Sequence, residues 1–246
     1  MRSFNPIRTF AVATVTTMLL AFVLSGCQQF FTTSLASGLA RTSLNIPSNL
    51  SVSDATSLAA QAKANNDTKL ATALVSSLET EIASTTDPNT KSSLEASAAS
   101  AAIVASGVSS TLTSLISTYE NGGTASASTL ISIVQTIKSS TTPSMIQALS
   151  YLDTSTLSST SSSVQTAGLG ATDYAVAAVV IAASVIPPNT NPETFNYASL
   201  DAADTAKVNT AENILTTASS PSMVTAGSSG AQLISQLKQE FSLSTS

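Results

Sequence analysis

Thr172-Asp173-Tyr174-Ala175-Val176-Ala177-Ala178-Val179-Val180-Ile181-Ala182-Ala183-Ser184-Val185-Ile186 is the most apolar run of the chain beyond residue 26, and Pro187-Pro188 stops it. Thr172 or Asp173 supplies an N-cap, because a short oxygen-bearing side chain accepts from the free amides of a first helical turn. Val176, Val179, Val180, Ile181 and Val185 leave no polar face. A helix apolar on every side belongs inside a protein or a bilayer. This one falls short of the roughly 20 residues that a span requires. It is therefore expected at the centre of a helical bundle, with its alanines letting neighbours approach closely.

The flanking segments supply those neighbours. Leu70, Leu74, Val75, Leu78 and Ile82 form one helical stripe, preceded by Asn65-Asn66-Asp67 as turn and cap. Before it, Ser53-Asp54 reads as the cap of a helix running to about Ala64, with Leu58 inward. After it, Asp87 and Pro88 open a third helix that reaches about Ser106, where Gly107 marks an end or a bend. Leu112, Leu115, Ile116 and Tyr119 repeat the i, i+3, i+4, i+7 pattern, as do Leu130, Ile133, Val134 and Ile137. Pro143 opens a short helix with Met145, Ile146, Leu149 and Leu152.

Ser155 to Gly170 is Ser/Thr-rich, ends in Gly168-Leu169-Gly170, and reads as a loop or hinge. Beyond Pro187-Pro188, Phe195 and Tyr197 are expected to fold back from a loop onto the core. Asp201 starts a helix with Val208, Ala211 and Leu215 on one face, and a last helix carries Leu233, Ile234, Leu237 and Phe241. Ser110-Thr111-Leu112 and Ser128-Thr129-Leu130 align at a fixed offset, which fits either a repeat or coincidence in a chain this rich in Ser and Thr. The tetratricopeptide signature fails, because Asp67 and Thr80 occupy aromatic positions. The expected fold class is all-α, a multi-helix bundle or irregular helical array with no regular sheet.

Composition excludes several classes of function. Nine basic residues stand against fourteen acidic ones, and loss of Arg2 and Arg8 with a leader takes the net charge from −5 to −7. Nucleic-acid binding needs clustered cations, and none cluster here. Ser and Thr make up roughly a third of the chain, above ordinary usage, yet the apolar residues are periodic and fold-competent. A single cysteine allows no internal disulfide.

The chemistry-bearing residues are sparse. Histidine is absent, so neither a Ser-His-Asp triad nor a His/Cys zinc site can be assembled. Ser235-Gln236-Leu237-Lys238 matches a Ser-x-x-Lys pattern, but no Lys-Thr-Gly accompanies it and Leu237 belongs to an apolar stripe. Asp201 and Asp204, three apart on a first turn, complement the helix dipole. Glu79 and Glu81, two apart, point to different faces. Gly168-Leu169-Gly170 lacks the third glycine and preceding strand of a dinucleotide loop. No catalytic residue, cofactor or metal ligand is assigned.

At the N-terminus, Arg2 and Arg8 precede the uncharged run from Phe10 to Leu24, which ends in Leu24-Ser25-Gly26-Cys27. A positive segment before a short apolar core is the pattern of a secretory leader. The tetrapeptide resembles the lipobox of bacterial lipoprotein precursors. That resemblance implies cleavage between Gly26 and Cys27 and a diacylglycerol on the Cys27 thiol. Gln28, where inner-membrane lipoproteins of many Gram-negative bacteria carry aspartate, favours the outer membrane. In general design alone the chain also resembles helical-repeat lipoproteins that assist transporters, with no shared motif.

The expected organisation is a signal peptide over 1–26, a lipidated N-terminus and tether over 27–52, and one α-helical domain over 53–246 with a hinge at 155–170. Phe30, Phe31, Leu35 and Leu39 bring the tether close to the domain or the lipid surface. The expected partners are the membrane, through lipid on Cys27, and an envelope protein; nucleic acid is not expected. The expected role is non-enzymatic binding or interaction in the cell envelope, accessory to an envelope or transport complex. The alternatives are a carrier of a small apolar ligand held between helices, and a surface structural protein or antigen.

Overall fold

The computed structural model describes residues 46–108, 127–153 and 162–223, together with positions 111, 157, 231, 234, 235, 237 and 238. The lipobox, Phe30, Phe31, Leu35 and Leu39 lie outside the described residues, as do the stripe from Leu112 to Tyr119 and most of the last helix. Residues 46–246 form one compact unit.

Eight α-helices and no strand occur among the described residues. They are α1 (Val52–Asn65), α2 (Thr68–Ser84), α3 (Pro88–Ala105), α4 (Ala127–Ser140), α5 (Pro143–Ser150), α6 (Ser162–Thr166), α7 (Ala171–Val185) and α8 (Ala202–Ala218). The unit is an all-α helical array. Its first part packs α1 and α2 onto α3, its later part pairs α7 with α8, and α5 touches α2, α3 and α7.

Local chemistry sets most of the boundaries. Asp67 accepts from the amides of Lys69 and Leu70 and so caps α2. Asp87 accepts from the Thr90 amide with Pro88 at the first helical position of α3. Asn66 and Gly107 close α1 and α3 with positive φ, a conformation Asn tolerates and Gly adopts without strain. The stripe of α2 is buried as its spacing predicts, from Leu70 to Ile82. Each large side chain of that kind stabilises the fold by about 1.5–3 kcal/mol through burial.

Three expectations need correction. The cap of α1 is Ser51, whose Oγ accepts from the amide of Asp54. Asp54 sits three residues in, and the Ser51 hydroxyl donates to its carboxylate at 2.6 Å. The cap of α7 is Gly170, whose amide donates to Asp173 Oδ2 at 2.8 Å. The Ser/Thr-rich segment is not all loop, since α6 forms within it and buries Val164, while Ser92 donates to Ser163 at 3.0 Å.

The centre is shared between two helices. In α7, every residue from Tyr174 to Ala183 is buried, as its apolar sequence predicts. In α3, every residue from Leu94 to Ala105 is buried too, although two of them are serines and one is Glu95. Alanine and serine occupy little volume, so α3 can be surrounded closely by α1, α2, α5 and α7. The hydroxyl of Ser97 donates to the Ser93 carbonyl at 3.0 Å, and that of Ser106 to the Ile103 carbonyl at 2.6 Å. A serine so bonded enters a core without an unsatisfied polar atom.

Folding also reaches N-terminal of the expected domain start. Leu50 is buried and Ile46 packs against the core, so the end of the expected tether belongs to the folded unit.

Candidate functional site

Helices α4, α5, α7 and α8 converge on a surface groove with two lobes. The first, of about 280 Å³, is lined by Ile137, Lys138, Thr141, Thr142, Pro143, Ile146, Ser184 and Lys207. The second, of about 300 Å³, is bounded by Ile146, Ile181, Ala206, Lys207 and Thr210, with Pro143, Gln147 and Ser150. Pro143, Ile146 and Lys207 are walls of both lobes. Each lobe stands at the small end of the roughly 300–1,000 Å³ that ligand pockets occupy.

Each wall follows from local sequence. Ile137 ends the buried stripe of α4, and Lys138 is the next residue, carried to the rim. Pro143 opens α5 after the cap Thr142, which accepts from the Met145 amide at 3.3 Å. On α5, Met145 and Leu149 turn into the core, and Ile146 stays half-buried at the groove. Ser184 sits in the last turn of α7, just before Pro187-Pro188. The first turns of α8, capped by Asp201 through the Asp204 amide, bring Ala206 and Lys207 opposite α5.

The polar groups gather in the first lobe. Lys138 Nζ donates to the Ser184 carbonyl at 2.7 Å and has no carboxylate partner among the described residues. Lys207 Nζ lies 2.6 Å from Asp204 Oδ1, so part of its charge is compensated. The Thr141 hydroxyl is shielded from solvent and has no hydrogen-bond partner among the described residues. A buried polar atom left without a partner costs about 1–3 kcal/mol, which favours anything that can supply one.

A second polar cluster lies between α2, α3 and the end of α5. Glu95 on α3 is buried, and that burial pushes its carboxyl above the usual range, against the opposing pull of Lys91. Burial also raises the Tyr151 hydroxyl; a hydrogen bond from Gln147 lowers it in part, and the charges of Glu79 and Glu95 add to the rise. Glu79 keeps one carboxylate oxygen buried without a partner. On the loop after α7, Tyr197 packs edge-on against Phe195 with ring centres 4.9 Å apart, and its buried hydroxyl is also unpartnered.

The other residues singled out from sequence are placed as follows. Asp201 and Asp204 act as helix cap and ion-pair partner. Gly168 and Gly170 shape the turn between α6 and α7. Ser235 is exposed, while Ile234 and Leu237 are buried. Among the described residues, no group of three or more His, Cys, Asp or Glu stands close enough to hold a metal ion. Among them, too, no helix is long and apolar enough to cross a membrane. Gly26 and Cys27 lie outside the described residues.

Lys138 and Lys207 were not legible as a pair. They are far apart in the chain and come to one groove only when α4 and α8 have packed. No protein family, curated protein or solved structure matches this chain.

Proposed function

We propose that this chain is a bacterial cell-envelope lipoprotein, anchored by lipid on Cys27, whose helical unit serves a non-enzymatic binding role beside an envelope or transport complex. The observation that carries the reading is Leu24-Ser25-Gly26-Cys27 at the end of an uncharged run preceded by Arg2 and Arg8. Small residues before a cysteine let an extended backbone enter a membrane peptidase, and the thiol is the side chain best suited to taking a lipid. Several acyl chains at about 0.8 kcal/mol per buried methylene hold a protein durably on a bilayer. Gln28 favours sorting to the outer membrane.

Intact mass spectrometry of the membrane-bound chain tests the anchor. The expected product begins at Cys27 and carries acyl mass, and Cys27→Ala abolishes both cleavage and the added mass. An unchanged mass in the variant refutes the anchor. Cross-linking in living cells tests the role, and a fixed envelope protein recovered with the chain is the expected result.

The carrier reading is favoured by one specific observation, the groove between α5, α7 and α8.

A further inference from the structure

The geometry points to the groove as a binding site for a small amphiphilic anion, a carboxylate-headed molecule with a short apolar tail. The head belongs in the first lobe, whose walls carry Lys138 and Lys207, and the tail runs past Pro143 and Ile146 toward Ile181 and Ala206 in the second. This proposal deepens the binding role above but needs no lipid on Cys27, so a chain that is never acylated still tests it.

Charge complementarity selects the occupant. The whole protein is acidic, with fourteen acidic residues against nine basic, yet among the described residues no Asp or Glu lines either lobe. Lys63 and Lys207 are committed to Asp173 and Asp204, whereas among the described residues Lys138 meets only the Ser184 carbonyl. An anion beside Lys138 would gain a charge-assisted hydrogen bond without displacing an acid. The head also lies at the N-terminal end of α5, where the helix dipole favours negative charge.

The tail is required by the remaining walls. Ile137, Pro143, Ile146, Ile181 and Ala206 are apolar, and an ion alone would leave them against water. A neutral apolar molecule would leave the Lys138 charge unanswered. An amphiphilic anion satisfies both parts of the groove.

Titration calorimetry of the full chain in phospholipid nanodiscs tests the proposal, with octanoate, octan-1-ol and octylammonium as probes and empty nanodiscs as the blank. Octanoate is expected to bind saturably at one site per chain, and octanol and octylammonium at least tenfold more weakly. Lys138→Gln and Lys207→Gln are each expected to weaken octanoate roughly tenfold, the scale of one charged hydrogen bond. Lys69→Gln, an exposed lysine on α2, is expected to change nothing. Ala206→Trp, on an exposed position of α8, blocks the second lobe without touching the core and is expected to abolish binding. Octanol binding as tightly as octanoate overturns the proposal, as does heat equal to that of empty nanodiscs. Unchanged affinity in both lysine variants, with native far-ultraviolet dichroism, overturns it too. A dimer broken by Ala206→Trp and unaffected by octanoate would assign the groove to a second copy of the chain instead.

Discussion

Lys63 Nζ, in the last turn of α1, lies 2.9 Å from Asp173 Oδ2 in the first turn of α7. The same ammonium donates to the Gly168 carbonyl at 3.0 Å, and the same carboxylate oxygen accepts from the Gly170 amide at 2.8 Å. One contact therefore joins the first helix, the turn before α7 and the start of α7 itself. Each charge also suits its own helix end, a cation at a C-terminus and an anion at an N-terminus.

The two partners are predicted to differ in weight. The Lys63 side chain is 40% exposed and that of Asp173 17%, so solvent screens the pair and its own contribution stays below about 1 kcal/mol. Asp173 additionally holds the cap of α7, and such caps contribute about 0.5–2 kcal/mol. Urea unfolding should show Asp173→Ala destabilising by about 1–2 kcal/mol and Lys63→Met by less than about 1 kcal/mol. Equal losses in the two variants would contradict the capping role.

Glu95 should make stability depend on pH. Burial raises its folded-state pKa above the ordinary carboxyl value of 4.5, with Lys91 opposing. The folded state therefore holds the proton more tightly than the unfolded chain does. Its contribution is most favourable below pH 4.5 and declines as pH rises from there through the folded value. Glu95→Gln is accordingly expected to raise the urea midpoint at pH 7 and to leave it nearly unchanged at pH 4. A variant less stable than wild type at pH 7 would mean that the ionised carboxylate is a net stabilising group.

Much of the array was legible in the sequence wherever one residue decides a local event. Asp67, Asp87-Pro88 and Pro187-Pro188 mark helix ends through backbone chemistry alone, and the structure follows them. The stripe from Leu70 to Ile82 states its buried face by spacing. Asp54 and Asp173 misled because a carboxylate at the third helical residue resembles a cap, while the true caps, Ser51 and Gly170, lie three residues earlier. The full burial of α3 left no periodic signal, since alanine and serine fit any face. The groove was least legible of all, because Lys138, Ile146, Ser184 and Lys207 meet only once four helices have packed.

The tight packing of α3 yields a prediction about volume. Ala98, Ala99, Ala101 and Ala102 are fully buried on successive faces, so no direction is open to a larger side chain. Ala98→Leu is expected to destabilise by about 1–3 kcal/mol through overpacking. Ala206→Leu, on an exposed position of α8, should stay within about 0.5 kcal/mol of wild type. Thermal unfolding of the two variants checks the contrast. Equal midpoints would mean that α3 is not enclosed on all sides.

Tyr174 offers a test of the α7 core by direct titration. Its ring is fully buried, and its hydroxyl donates to the Leu157 carbonyl at 2.8 Å. Burial pushes the hydroxyl from 10.0 up to about 12. Because the folded value lies above the unfolded one, the neutral tyrosine contributes its full stability below pH 10. That contribution is lost as pH rises from 10 through about 12. Absorbance at about 295 nm, where tyrosinate absorbs, should show a step near the upper value that is missing in Tyr174→Phe. The variant also leaves the Leu157 carbonyl without its donor, at a cost of about 1–3 kcal/mol in urea unfolding. Ionisation of Tyr174 near pH 10 with the fold intact would mean that water reaches the hydroxyl, and that the packing of α7 around it is loose.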